Sequence, residues 1–113
     1  MGWTNWRRIA DHGICYIDVL DHDGPAVYEL AVAGPRGGTL QPVYVGETGN
    51  ERSRIKSYAE IGSHLSKEIK DHLRNGWSLW YRAQAVADKH AAVVMQNRLL
   101  ARFDYHWNIH RNR

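Results

Sequence analysis

The sequence predicts an α/β chain of the α+β kind, a single domain with a small antiparallel three-stranded sheet and flanking helices. Three observations carry this. Val27-Tyr-Glu-Leu-Ala-Val-Ala33 and Gln41-Pro-Val-Tyr-Val45 are rich in β-branched and aromatic residues and flank Gly34-Pro-Arg-Gly-Gly38, the pattern of a β-hairpin. From Asp88 to Phe103 the apolar residues fall at helical spacing. The length, 113 residues, suits one modest core and is too short for two.

In chain order, Thr4 or Asn5 is suited to cap a short helix through Ala10, stopped by Gly13, with Trp3 and Trp6 covering the core. Residues 14 to 20 form an extended apolar segment, and Asp21-His-Asp-Gly-Pro25 is a turn cluster. Residues 1–25 are thus an extension ahead of a domain at 26–113. After the hairpin, Gly46 ends the second strand and Thr48-Gly-Asn50 turns into a helix from Glu51 to Glu60, with Arg54 and Tyr58 one turn apart on one face. Ser63 caps a second helix that runs to Asn75 and is stopped by Gly76. Trp77-Ser-Leu-Trp-Tyr-Arg-Ala-Gln-Ala85 alternates as a third strand before the last helix.

Composition is that of a globular protein, 43% hydrophobic and 24% charged, without repeats. No apolar run approaches the ~18 residues of a membrane span and the N-terminus lacks a signal-peptide stretch, so an intracellular, cytoplasmic chain off the membrane is expected. The single cysteine, Cys15, lies in an apolar run and reads as a buried inert thiol. None of the seven histidines has convincing ligand spacing: His106 and His110 are one turn apart but fall past the last helix. Fifteen Lys and Arg against twelve Asp and Glu give a net charge of +3, which permits nucleic-acid binding. Distribution says more than the total. Arg52, Arg54 and Lys56 crowd one short helix, Lys67, Lys70 and Arg74 the next, and Arg98, Arg102, Arg111 and Arg113 the end.

Spacing adds chemistry. Ala26-Val-Tyr28 is followed sixteen residues after its tyrosine by Tyr44-Val-Gly46, Arg54 lies eight residues beyond that glycine, and Trp107-Asn108 closes the pattern. Together these residues, spanning 26 to 108, resemble the GIY-YIG nuclease family, with Ala26-Val27 in place of Gly-Ile and Tyr58 where several members carry histidine. The resemblance implies a compact endonuclease domain that hydrolyses phosphodiester bonds with one divalent metal, Mg2+ or Mn2+. It maps a general base or water positioner onto Tyr44 and Tyr28 and the scissile-phosphate ligand onto Arg54; beside them Tyr58 offers a supporting hydroxyl, and Asn108 is either an amide that holds the site together or an ordinary C-terminal cap. Twelve residues before that asparagine, where the family's metal-binding glutamate is expected, stands Gln96.

A neutral amide lacks the charge that holds a hard cation, and no Asp or Glu occupies 89 to 103 to replace it. The expected protein is therefore a metal-dependent endonuclease of restriction, repair or phage type acting on double-stranded DNA, impaired in this chain. Either it is an enzyme inactivated by a single glutamate-to-glutamine change, the reading favoured by the completeness of the remaining pattern, or it is a natural non-cleaving relative. A DNA-binding module on the same basic face, through Arg52, Arg54, Lys56, Lys67 and Lys70, is the rival from another class. A protein-interaction domain is the third, and leaves Arg54 and Tyr44 without a shared role. One active site cuts one strand per visit, so a homodimer is a route to double-strand cleavage.

Overall fold

The computed structural model describes residues 2–11, 14–15, 23–59 and 65–108, with only the backbone of residues 10, 11, 14, 15, 59 and 66. Five strands and three helices follow in the order β1 (Arg7–Asp11), β2 (Ile14–Cys15), β3 (Ala26–Gly34), β4 (Gly37–Thr48), α1 (Glu51–Ala59), α2 (Ser66–Arg74), β5 (Ser78–Ala85) and α3 (Lys89–Arg102), closed by a 3-10 turn at His106–Asn108. The sheet order is β2-β1-β5-β3-β4, and every pairing is antiparallel.

The expected hairpin and third strand are present, but the sheet has five strands rather than three. Of the additional two, β2 lies in the stretch from 14 to 20 expected to be extended, and β1 lies where a helix from Thr4 to Ala10 was expected. Strand pairing wins there because a sheet edge is available: Thr4 donates its N–H to the Ala83 carbonyl at 2.8 Å and its Oγ1 accepts from Ala83 N at 3.1 Å. Arg7 and Arg8 then pair with Tyr81 and Trp80, and Ile9 is 1% exposed. Trp3 and Trp6 do not form a helix face. Their rings flank the Arg82 guanidinium at 4.6 and 4.8 Å, a cation–π stack that holds the segment on the sheet.

Strand alternation gives the sheet two different faces. Tyr28, Leu30, Val32 and Tyr44 point toward α1 and α2, where Ile55, Tyr58, Leu65 and Ile69 complete the larger core. Val27 and Val45 point the other way, against Tyr105 and the α3 residues Met95, Leu99 and Leu100. Glu29 shares this second face as a buried carboxylate. Arg82 Nε donates to one of its oxygens at 2.6 Å and the Tyr105 hydroxyl donates to the other. Removing Arg82 or Tyr105 would leave one oxygen of this carboxylate without its donor.

The hairpin turns at Pro35-Arg36, and Gly37 and Gly38 take φ of 77° and 104°, a conformation side chains resist. Strand β4 runs past Gly46 to Thr48, further than its apolar stretch suggested. Helix α3 is capped by Asp88, whose carboxylate accepts from Ala91 N at 2.8 Å. Helix α2 begins at Ser66 after Leu65. Ser63 as its cap, residues 16–20 as a strand, Gly13 as a stop, and Arg111, Arg113 and His110 all lie outside the described residues, as does the side chain of Cys15.

Candidate active site

Three tyrosines meet on the α1 face of the sheet. Tyr28 on β3, Tyr44 on β4 and Tyr58 on α1 have ring centroids 6.2, 5.8 and 6.4 Å apart, and all three are nearly fully buried. The hydroxyls of Tyr28 and Tyr58 share a hydrogen bond of 2.5 Å. The pairing Tyr28↔Gly46 explains the glycine of Tyr44-Val-Gly46: a Cβ there would stand 2.4 Å from the Tyr28 hydroxyl oxygen and 2.5 Å from its ring carbon. Gly46→Ala should therefore push the Tyr28 ring off Tyr58 and cost about 1–3 kcal/mol. The check is a fall in the urea midpoint with the m value kept, together with loss of the buried-tyrosine signature in near-UV circular dichroism. An unchanged midpoint would show that the ring does not sit as described.

Arg54 is held at the rim by the start of α1. Asn50 caps that helix, its Oδ1 accepting from Ser53 N at 2.9 Å, while its amide donates to Asp23 at 2.5 Å. Thr48 Oγ1 bonds both Asn50 N and Asn50 O at 3.0 Å, and Glu51 N donates to Gly24 O at 2.8 Å. Sequence reading took Thr48-Gly-Asn50 as a plain turn and missed this clamp, although an Asn just ahead of a helix is the signal for it. The Arg54 side chain is exposed, and its positive charge acts on both Tyr28 and Tyr58.

That charge does not make the two hydroxyls basic. Burial raises Tyr28 well above the ordinary tyrosine range, the neighbouring Tyr58 and Tyr44 add to the rise, and Arg54 only offsets it. Tyr58 is raised for the same first reason. In their shared hydrogen bond one hydroxyl donates and the other accepts.

Asn108 is 1% exposed and is bound to β4. Its Oδ1 accepts from Val45 N at 2.8 Å and its Nδ2 donates to Val45 O at 2.9 Å. The amide thus fixes the residue between Tyr44 and Gly46 from the strand's outer edge. Its bonds are structural, as a site-holding role requires. Beside it, Trp107 packs on His72 of α2 at 5.3 Å, so both residues of the Trp-Asn pair lock the chain's end.

Gln96 is 6% exposed and forms, with Ala92, the buried stripe of α3. That helix covers the Val27 and Val45 face, so Gln96 approaches from the side of the sheet opposite to the tyrosine rings. The candidate contacts Arg52, Lys56, Lys67 and Lys70 are exposed on α1 and α2, with Arg54 among them. Sequence reasoning missed Glu47, whose Oε2 is buried without a hydrogen-bond partner one residue after Gly46. Its only signal was a carboxylate interrupting the run between Gly46 and the helix.

The fold thus gathers Tyr28, Tyr44 and Tyr58 into one cluster, with Arg54 one helical turn before Tyr58 and Asn108 bound to β4 beside Tyr44. The profile of the GIY-YIG domain-containing proteins matches residues 18–113, and the chain belongs to that family. Protein EFFECTOR OF TRANSCRIPTION 3 of Arabidopsis thaliana is 34% identical over 67 residues, which are 58% of this chain. The chain spans only 24% of that relative's length. In fold it matches a mutant of bacteriophage T4 EndoII with a TM-score of 0.64 and 18% identity, over 94% of this chain and 90% of the other.

Proposed function

We propose that this chain is a DNA endonuclease of the GIY-YIG type, hydrolysing phosphodiester bonds with one divalent cation and impaired by Gln96. The observation that carries the reading is the tyrosine cluster under Arg54: buried hydroxyl donors beside an exposed guanidinium whose charge reaches them. Arg54 binds the scissile phosphate through its planar fork and gains strength as charge builds on the phosphoryl oxygens. Tyr58 and Tyr28 donate hydrogen bonds that orient the phosphate or the attacking water, and Tyr44 completes the wall that seats them. Asn108 keeps Tyr44 and Gly46 in register.

A cation, when bound, would neutralise charge on the phosphate and activate water. Position 96 by itself does not fit one. It offers an amide oxygen without charge, and among the described residues no three His, Cys, Asp or Glu side chains gather as a ligand set. That mismatch favours a second reading, a DNA-binding module that does not cleave. Among the described residues no helix is long and apolar enough to cross a membrane.

Both readings expect binding of duplex DNA through the exposed Arg52, Arg54, Lys56, Lys67 and Lys70. Affinity should fall linearly in log K against log salt, with a slope of roughly 0.9 per phosphate neutralised. Fluorescence anisotropy of a labelled duplex across a salt series measures it. A salt-independent interaction, or no binding, would remove nucleic acid as the partner and both readings with it.

A further inference from the structure

We propose that the outward side of α3 is a docking groove for an acidic amphipathic helix of a partner protein. The groove, about 540 Å³, lies between α3 and the end of β5, where Val86, Ala91, Met95 and Leu99 line it together with Arg98 and Arg102. Leu99 also lines a second hollow of about 430 Å³ that includes Phe103 and Trp3, so the concave strip follows the helix from Ala91 to Phe103. That is about 18 Å of helix, matched by about three turns of a ligand helix. Among the described residues the large hydrophobics left exposed are Val94, at 37%, and Phe103, at 52%, and each lines one of these two hollows. A single exposed apolar side chain means little, but two on one helix, joined by an apolar strip edged with charge, mark a protein contact.

Charge decides the kind of partner. No Asp or Glu occupies 89 to 103, and neither Arg98 nor Arg102, both exposed, has an ion-pair partner among the described residues. Arg102 rests its guanidinium on the Phe103 ring at 5.7 Å. The two arginines are one turn apart, so they meet carboxylates spaced by one turn on a facing helix. Protein interfaces favour Arg and Met and avoid Lys, and the groove has the first two without the third. A nucleic-acid backbone would engage the arginines and leave Val94, Met95 and Leu99 wet, whereas a helix with leucines beside its carboxylates engages both sets. Helix α3 covers the Val27 and Val45 side of the sheet, away from the tyrosine cluster on the α1 side. A partner seated on α3 therefore leaves the Arg54 side open, and the inference holds whether or not the chain cleaves DNA.

The test uses a fluorescein-labelled helical peptide with glutamates one turn apart beside a leucine stripe, and a second peptide in which lysine replaces each glutamate. Added to the isotope-labelled full chain, the acidic peptide should shift NMR amides centred on Val94, Arg98, Leu99 and Arg102 and leave those of Arg52, Lys56 and Lys67 in place. Arg98→Glu combined with Arg102→Glu should weaken it by about tenfold or more in anisotropy and turn the preference to the lysine peptide. The thermal midpoint should stay, because both side chains are exposed. Val94→Ser should weaken the acidic peptide about threefold. No binding of that peptide by the parent chain overturns the proposal, as does binding that survives the double reversal. Peptide shifts centred on α1 and α2 overturn it as well, since they would report attraction to basic charge alone. Duplex DNA that displaces the peptide and shifts Val94, Leu99 and Arg102 would make this a nucleic-acid surface and overturn it too. A chain that takes the peptide on α3 yet binds no DNA supports the proposal while removing the nuclease reading.

Discussion

Gln96→Glu should raise metal-dependent nicking of supercoiled DNA on the order of 100-fold or more, since a carboxylate on the cation is worth several kcal/mol of transition-state stabilisation. The side chain is already in place. It is 6% exposed on the sheet-facing stripe of α3, and glutamate has the shape of glutamine, so the exchange changes charge without disturbing packing. The new carboxylate would be buried on α3, where an ionised group without a partner or cation is costly. The variant should therefore be less stable than the parent in chelator and regain stability with Mg2+ or Mn2+, which a thermal melt reads beside the nicking assay. Equal nicking rates for both chains, or none by either across varied DNA, would defeat this account of position 96.

In the Gln96→Glu background, Arg54→Ala should abolish cleavage while weakening DNA affinity only modestly. One exposed guanidinium among Arg52, Lys56, Lys67 and Lys70 adds little to ground-state binding. At the phosphate it faces growing charge, beside hydroxyls held protonated by burial, and such a group commonly accounts for a 100- to 1000-fold effect, about 2.7–4 kcal/mol. Arg54→Lys should rescue poorly, because an ammonium keeps the charge and loses the fork. The comparison is kcat/KM against Kd for the three chains. A parallel fall in both would make Arg54 a binding residue and nothing more.

Much of this was legible in the sequence because local patterns agree with the final contacts. The hairpin, β5 and α3 announce themselves by alternation or helical spacing, and α3 starts at its cap Asp88, where the helical spacing begins. The tyrosine pair and Arg54 were legible as a spacing, which cross-strand register turns into the meeting of Tyr28 with Gly46. The N-terminal segment was misread because its fate depends on a partner 79 residues away: nothing near Thr4 shows that Ala83 will offer its N–H and carbonyl. The burial that raises Tyr28 and Tyr58 was not legible for a related reason. Charge is visible in a sequence, whereas desolvation is a property of the packed core, and here it outweighs Arg54. Glu47 stayed hidden because an unpaired oxygen exists only once the neighbours are known.

Strand β4 is the last in the sheet order, and a terminal strand offers a row of backbone donors and acceptors to any passing chain. This one is closed to recruitment. At Val45 the side-chain amide of Asn108 takes both backbone groups, imitating the peptide of a sixth strand one residue long. Three residues earlier Pro42, at an irregular step of the β3–β4 register, has no N–H to give. A second copy therefore cannot pair with β4 at Val45 or take an N–H from Pro42. The residue that steadies the tyrosine strand within one molecule also keeps that molecule from polymerising along it.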